Sequence, residues 1–106
     1  MSDIRIIKTT FPNEKSAKET AELLISEKLA ACVHVGAPVE SYFMWEGKKC
    51  VEKEIPVSIK TSGSAMKALC KRFKALHPYK CPQWIVTNAK ASKEYADWVE
   101  ASCRPD

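Results

Sequence analysis

Glycine is scarce in this sequence, with 3 in 106 residues, and no low-complexity run occurs. No stretch therefore reads as a flexible linker, and the length suits a single domain spanning 1–106. Only three arginines are present, and Lys48-Lys49 is the lone lysine pair. A net charge of +4 spread among glutamates is a mixed-sign surface without the basic stripe of a nucleic-acid binder. No apolar run approaches the roughly 20 residues that a membrane-spanning helix needs. Met1-Ser2-Asp3-Ile4-Arg5 carries no basic-then-apolar leader. These absences predict a cytoplasmic protein with neither a membrane nor a nucleic acid as partner. No G-x-S-x-G and no glycine-rich phosphate loop is found, and no nucleophile has an evident orienting base, so no enzymatic activity is expected.

Five cysteines are present: Cys32, Cys50, Cys70, Cys81 and Cys103. Their number is odd, their spacing is wide, and no C-x-x-C occurs. That argues against both a disulfide framework and a structural zinc knuckle. Hydrophobic residues make up 45% and charged residues 28%, which is ordinary for a folded domain.

The patterning gives an element order. Asp3–Phe11 is short and rich in β-branched residues, hence a strand. Asn13 is placed to cap a helix from Glu14 to Leu29, with Ala17, Ala21, Leu24, Ile25 and Leu29 on its apolar face. Ala30–Val35 and Val39–Trp45 read as one long strand bent or bulged at Gly36-Ala37-Pro38. Glu46-Gly47-Lys48-Lys49 is a hairpin turn, and Cys50–Thr61 alternates as a strand with Pro56 at an edge or bulge. Ser62-Gly63-Ser64 caps a second helix running to about His77, where Pro78 stops it. Gln83–Ala89 is a strand. Ser92 caps a last helix with Tyr95, Trp98, Val99 and Ser102 or Cys103 inward, before a frayed Arg104-Pro105-Asp106. The order β-α-β-β-α-β plus a C-terminal helix predicts an α+β, ferredoxin-like fold: an antiparallel sheet with helices on one face. Phe43, Trp45, Val57 and Trp84 exceed what two helices can cover, so the bare face calls for a partner, most simply another copy of the chain.

Leu29-Ala30-Ala31-Cys32-Val33, Ser41-Tyr42-Phe43-Met44-Trp45-Glu46-Gly47-Lys48, Ile59-Lys60-Thr61, Leu76-His77-Pro78-Tyr79 with Pro82, and Tyr95-Ala96-Asp97-Trp98-Val99 occur in that order. Together they cover nearly the whole chain and resemble the CutA family of divalent-cation tolerance proteins. The resemblance implies a homotrimer similar in assembly to the PII signalling proteins, with clefts between subunits. It also implies a non-enzymatic role in binding a divalent cation, with copper (as Cu2+ or Cu+) the first candidate and zinc the second, neither required for folding. The chain departs from the family after His-Pro-Tyr, where Lys80 and Gln83 stand in place of the usual glutamates.

Two sets of residues are candidates for function. Cys32, His34, His77 and Cys81 supply thiolate and imidazole, which suit copper or zinc. Cys32 and His34 are two apart on a strand and so share a face. An extended His77–Pro82 would likewise align His77, Tyr79 and Cys81. The same residues also fit a buried thiol with a hydrogen-bonded imidazole, and a stiff connector between helix and strand. The second set is Tyr42, Trp45, Glu52, Glu54, Lys60, Tyr79, Lys80 and Trp84, which would line an aromatic and charged cleft or an interface between subunits. Were that cleft to take an anionic ligand or a protein, as in a PII-like signalling or scaffold trimer, Lys60 and Lys80 would carry the contact.

Overall fold

The computed structural model describes residues 1–104. Of the expected frayed end, Pro105 and Asp106 lie outside the described residues. Five strands and three helices follow one another as β1 (Ser2–Phe11), α1 (Glu14–Ser26), β2 (Cys32–Val35), β3 (Val39–Trp45), β4 (Lys48–Thr61), α2 (Met66–Leu76), β5 (Ile85–Ala91) and α3 (Lys93–Ser102). The fold is α+β and ferredoxin-like, with an antiparallel sheet in the order β2-β4-β1-β5. Strand β3 continues along β4 beyond the end of β2.

The sequence accounts for most of the element ends. Asn13 accepts a hydrogen bond from Ser16 N–H at 2.8 Å and caps α1, and Ser92 does the same for Tyr95 N–H at 3.3 Å in α3. Helix α1 stops at Ser26, short of the expected Leu29, because Lys28 turns left-handed at φ 58°. Lys28 N–H then reaches Ile25 O and Leu29 N–H reaches Leu24 O, a Schellman closure. The expected Ser62 cap is not made. Ser62 bonds Ser64 instead, and a 3-10 turn at Gly63–Ala65 leads into α2. Glu46 and Gly47, both at positive φ, close a two-residue hairpin between β3 and β4, so β4 begins at Lys48.

The anticipated bend at Gly36–Pro38 is a bulge. Val35 opposes Val57 and Val39 opposes Glu54, so three residues face two on β4. Pro56 sits at that point, aligned with Thr10 of β1 on one side and facing the bulge on the other, where it has no donor to offer and its carbonyl accepts from Gly36 N–H at 2.8 Å.

Helices α1 and α2 cover one face of the sheet. Ile7 and Phe11 of β1, Ile55, Val57 and Ile59 of β4, Leu24 of α1 and Leu69 and Phe73 of α2 form the main core. Val57 is thus buried, contrary to the expectation that it lies on the bare face. Helix α3 departs from the one-face expectation. Its Cys103 thiol accepts from Thr61 Oγ1 on the α1–α2 side, while Ile4, Ile6 and Ala89 of the opposite face pack in the same cluster. Its inner stripe is Ala96, Val99 and Cys103, and Tyr95 and Trp98 face outward. Both stripes have helical spacing. The small Ala96 allows the helix to approach Ala89 and Ala91 closely, which a tyrosine there would prevent.

The β3–β4 hairpin extends past the end of β1 as an arm. The radius of gyration is 14.5 Å, against about 13 Å for a compact chain of this length. Both faces of the arm carry exposed apolar side chains: Phe43 and Trp45 on one, Tyr42, Met44 and Val51 on the other.

Candidate functional site

A groove of about 740 Å3 lies where the arm leaves the sheet. Ser41, Phe43, Trp45, Glu52 and Glu54 reach it from the hairpin, Thr10 from the end of β1, and the segment from Pro78 to Gln83 forms the facing wall. Glu52 and Glu54 share one side of β4 by strand alternation, the side away from α1 and α2.

Glu54 is the polar centre of the groove. Its Oε2 accepts from Thr10 Oγ1 and from Tyr79 OH, each at 3.0 Å. Burial pushes its pKa up, but hydroxyl donors from Ser41, Thr10 and Tyr79, with the nearby His77, outweigh that and leave it below the usual carboxylate value. The other end of the same bond is Tyr79, whose phenol is pushed up to about 12 by burial and by the Glu54 and Glu52 charges. At neutral pH the pair is therefore an ionised carboxylate held by neutral hydroxyls.

His77 lies beneath this network as a core residue. It is 8% exposed and stacks on Phe11 at 4.4 Å between ring centroids, with Phe73 and Tyr79 each at 5.0 Å. Its Nε2–H donates to Thr10 O at 2.7 Å, and its Nδ1 accepts from Tyr79 N–H at 3.1 Å. The carbonyl can only accept, so Nε2 carries the proton and the ring is neutral. Burial lowers its pKa against the opposing pull of the Thr10 carbonyl and Glu54.

Both ring nitrogens of His77 are thus committed, and a metal would have to displace one of these bonds. The expected alignment of His77, Tyr79 and Cys81 is not formed. The chain bends at Lys80–Cys81, so His77 points into the core and Cys81 lies at the surface in the groove wall. Cys32 and His34 do share a face of β2, opposite Lys60 and Ser58, with the thiol half-buried and the imidazole exposed. They are an i, i+2 pair on the sheet face away from α1 and α2, whereas His77 packs with Phe11 and Phe73 on the helix side. Among the described residues no three histidine, cysteine or acidic side chains converge to hold an ion.

Of the expected cleft residues, Trp45, Glu52, Glu54, Tyr79 and Lys80 do meet in the groove, which Tyr42 only borders because its strand position turns its side chain to the other face of the arm. Two do not. Trp84 packs on Phe73 at 4.6 Å at the margin of the core. Lys60 lies in β4 between Cys32 and Ile6. Thr10, Ser41 and Phe43 were missed. Phe43 was placed on the bare sheet face, but the two hydroxyls carry no signal until strand register sets them beside Glu54. A second groove, about 670 Å3 between the C-terminal end of α1 and α2, is bridged by Arg72 and Glu27, paired at 2.8 Å.

The fold and the arm carrying this groove are those of a known family. The chain belongs to the CutA1 divalent ion tolerance protein family, whose pattern it matches over residues 5–102. It is 35% identical over 95 residues to the divalent-cation tolerance protein CutA of Thermus thermophilus, spanning 89% of this chain and 92% of that one. It is 38% identical over 100 residues to the chloroplastic CutA 1 of rice, spanning 93% of this chain and 56% of the longer rice protein. The solved structure of a PII-like protein CutA from Nostoc superposes with a TM-score of 0.89 at 30% identity, over 96% of this chain and 99% of that one.

Proposed function

We propose that this protein acts without catalysis, as a homotrimer that binds a divalent cation of the copper class, with zinc the second choice. The observation that carries the proposal is the Cys32–His34 pair, a thiol and an exposed imidazole on one face of β2 in a member of a divalent-ion tolerance family. Thiolate and imidazole favour copper and zinc over hard cations. Two ligands per chain make an incomplete site, and a cyclic assembly supplies further copies of the pair. The apolar side chains on both faces of the arm support such an assembly, since exposed patches of that kind mark contact surfaces. His77 and Cys81 have no part in this site.

The alternative of an anion-binding PII-like trimer is less well supported. Lys60 is outside the groove, and Glu52 and Glu54 inside it repel an anion. Native mass spectrometry of metal-free protein, with Cu(II), Cu(I) under reducing conditions, and Zn(II), tests the proposal. A trimer taking up one kind of ion in a fixed stoichiometry, with uptake lost in Cys32→Ser and His34→Ala but the trimer kept, is the expected result. A monomer refutes the assembly, and uptake unaffected by both substitutions refutes the site.

A further inference from the structure

We propose that the groove between the C-terminal end of α1 and helix α2 docks an acidic, extended peptide segment of a partner protein. The site lies on the helix-covered side of the sheet, opposite the bare face that carries Cys32 and His34, and it does not involve the arm. Charge carries the proposal. Helix α2 holds Lys67, Lys71, Arg72 and Lys74 and no acidic residue. Of 17 lysines and arginines, these four equal the whole excess over the 13 acidic residues. The net charge of +4 therefore sits on one helix and is not spread among glutamates as the linear order suggests. Lys67, Lys71 and Lys74 follow at four- and three-residue steps and form one exposed stripe. None of the three forms an ion pair among the described residues.

The groove beside that stripe holds about 670 Å3. Lys28 at the end of α1 and Lys71 on α2 stand at its two walls, and Leu29, Ala68 and Ala75 supply its apolar surface. Arg72 binds Glu27 through Nε at 2.8 Å and Nη2 at 2.9 Å, which leaves Nη1 to a ligand. That pair cancels the one carboxylate lining the groove, so Lys28 and Lys71 leave it positive. Ala68 and Ala75 lie two turns apart, about 10 Å along the helix, which is the reach of about three extended residues. The occupant must bring both carboxylates and apolar side chains, and an acidic peptide with apolar residues interspersed brings both. A nucleic-acid strand offers phosphates but needs aromatic side chains to stack its bases, and no aromatic lines this groove. A bilayer presents a flat surface, to which a recessed apolar floor adds nothing.

The test uses the full-length protein with EDTA present and a fluorescein-labelled peptide of alternating glutamate and leucine, read by fluorescence anisotropy. Saturable binding is expected, weakening as salt rises because exposed charges are screened. Lys71→Glu replaces an attraction with a repulsion and should weaken binding about fivefold or more. Lys15→Glu changes the net charge by the same amount at the end of α1 far from the groove, and should leave binding essentially unchanged. Ala68→Phe fills the groove from an exposed position and should abolish binding, with the denaturation midpoint kept. A peptide of alternating lysine and leucine should not bind. Five results each overturn the proposal: no saturable binding, equal weakening in Lys71→Glu and Lys15→Glu, unchanged binding in Ala68→Phe, binding of the lysine peptide, or tighter binding of phosphatidylserine vesicles or a single-stranded oligonucleotide than of the acidic peptide. Metal uptake by Cys32 and His34 is measured separately and is untouched by Lys71→Glu, so failure of one site is distinguishable from failure of the other.

Discussion

Replacing His77 tests whether this residue is a structural member of the core. In His77→Ala the ring stacked on Phe11 and Phe73 disappears, and Thr10 O and Tyr79 N–H both lose their partners. Truncating a buried aromatic costs about 3–5 kcal/mol, and this one is nearly as buried as the phenylalanines it touches. His77→Phe separates packing from hydrogen bonding. It keeps a ring but strands one acceptor and one donor, at about 1–3 kcal/mol for each group that water does not reach. Both groups are only part-buried, so the lower end of that range applies. The assay is guanidinium denaturation at one fixed protein concentration, because stability in an assembly depends on concentration.

The pH dependence gives a second axis for the same residue. Burial holds the folded-state pKa of His77 below its ordinary value of 6.5. The unfolded chain therefore takes up the proton first. Stability is full above about pH 6.5 and declines as pH falls through the folded-state value, after which this contribution levels off. His77→Phe should be less stable at pH 8 and should also lose the part of the slope between pH 7 and 5. Unchanged stability in both variants, or an unchanged slope in His77→Phe, would refute the core role and reopen His77 as a ligand.

Other perturbations follow from single contacts. Tyr79→Phe removes a hydroxyl from Glu54, so the carboxylate pKa, read by NMR, should rise towards its ordinary 4.5. Because the folded-state pKa of Glu54 lies below that value, its contribution to stability is present above pH 4.5 and is lost as pH falls further, and less of it should remain in Tyr79→Phe. Lys28→Gly relieves a left-handed residue at φ 58° and should raise stability by about 0.5–1 kcal/mol, measured by thermal melting; a drop would mean the Lys28 side chain contributes packing. Gly36→Ala places a Cβ at 3.0 Å from Pro56 Cγ and 3.2 Å from its carbonyl oxygen, which should cost about 1–3 kcal/mol in denaturant; a neutral result would show that the bulge yields.

Much of the framework was legible because local rules decide it. Period-2 alternation marks β1 and the second half of β4, Asn13 and Ser92 cap their helices, and Glu46-Gly47 closes a hairpin. The family likeness was legible too, since it rests on short motifs in a fixed order. Helix faces were less secure. In α3 the stripes through Tyr95–Trp98 and through Ala96–Val99 have the same spacing, and only the distance to the sheet chose the smaller residues.

The sequence alone determined the element order, the interruption at Gly36–Pro38 and the inventory of thiols, imidazoles and aromatics available for chemistry. Tertiary structure decided which of those side chains meet. Thr10, Ser41, Glu54 and Tyr79 come from four separate segments, and their convergence depends on sheet register and on the bend at Lys80–Cys81. His77 reads as a ligand in a motif and becomes a core residue only when Phe11 and Phe73 close around it. Contacts between residues distant along the chain depend on packing of the whole fold, and a local pattern carries no information about them.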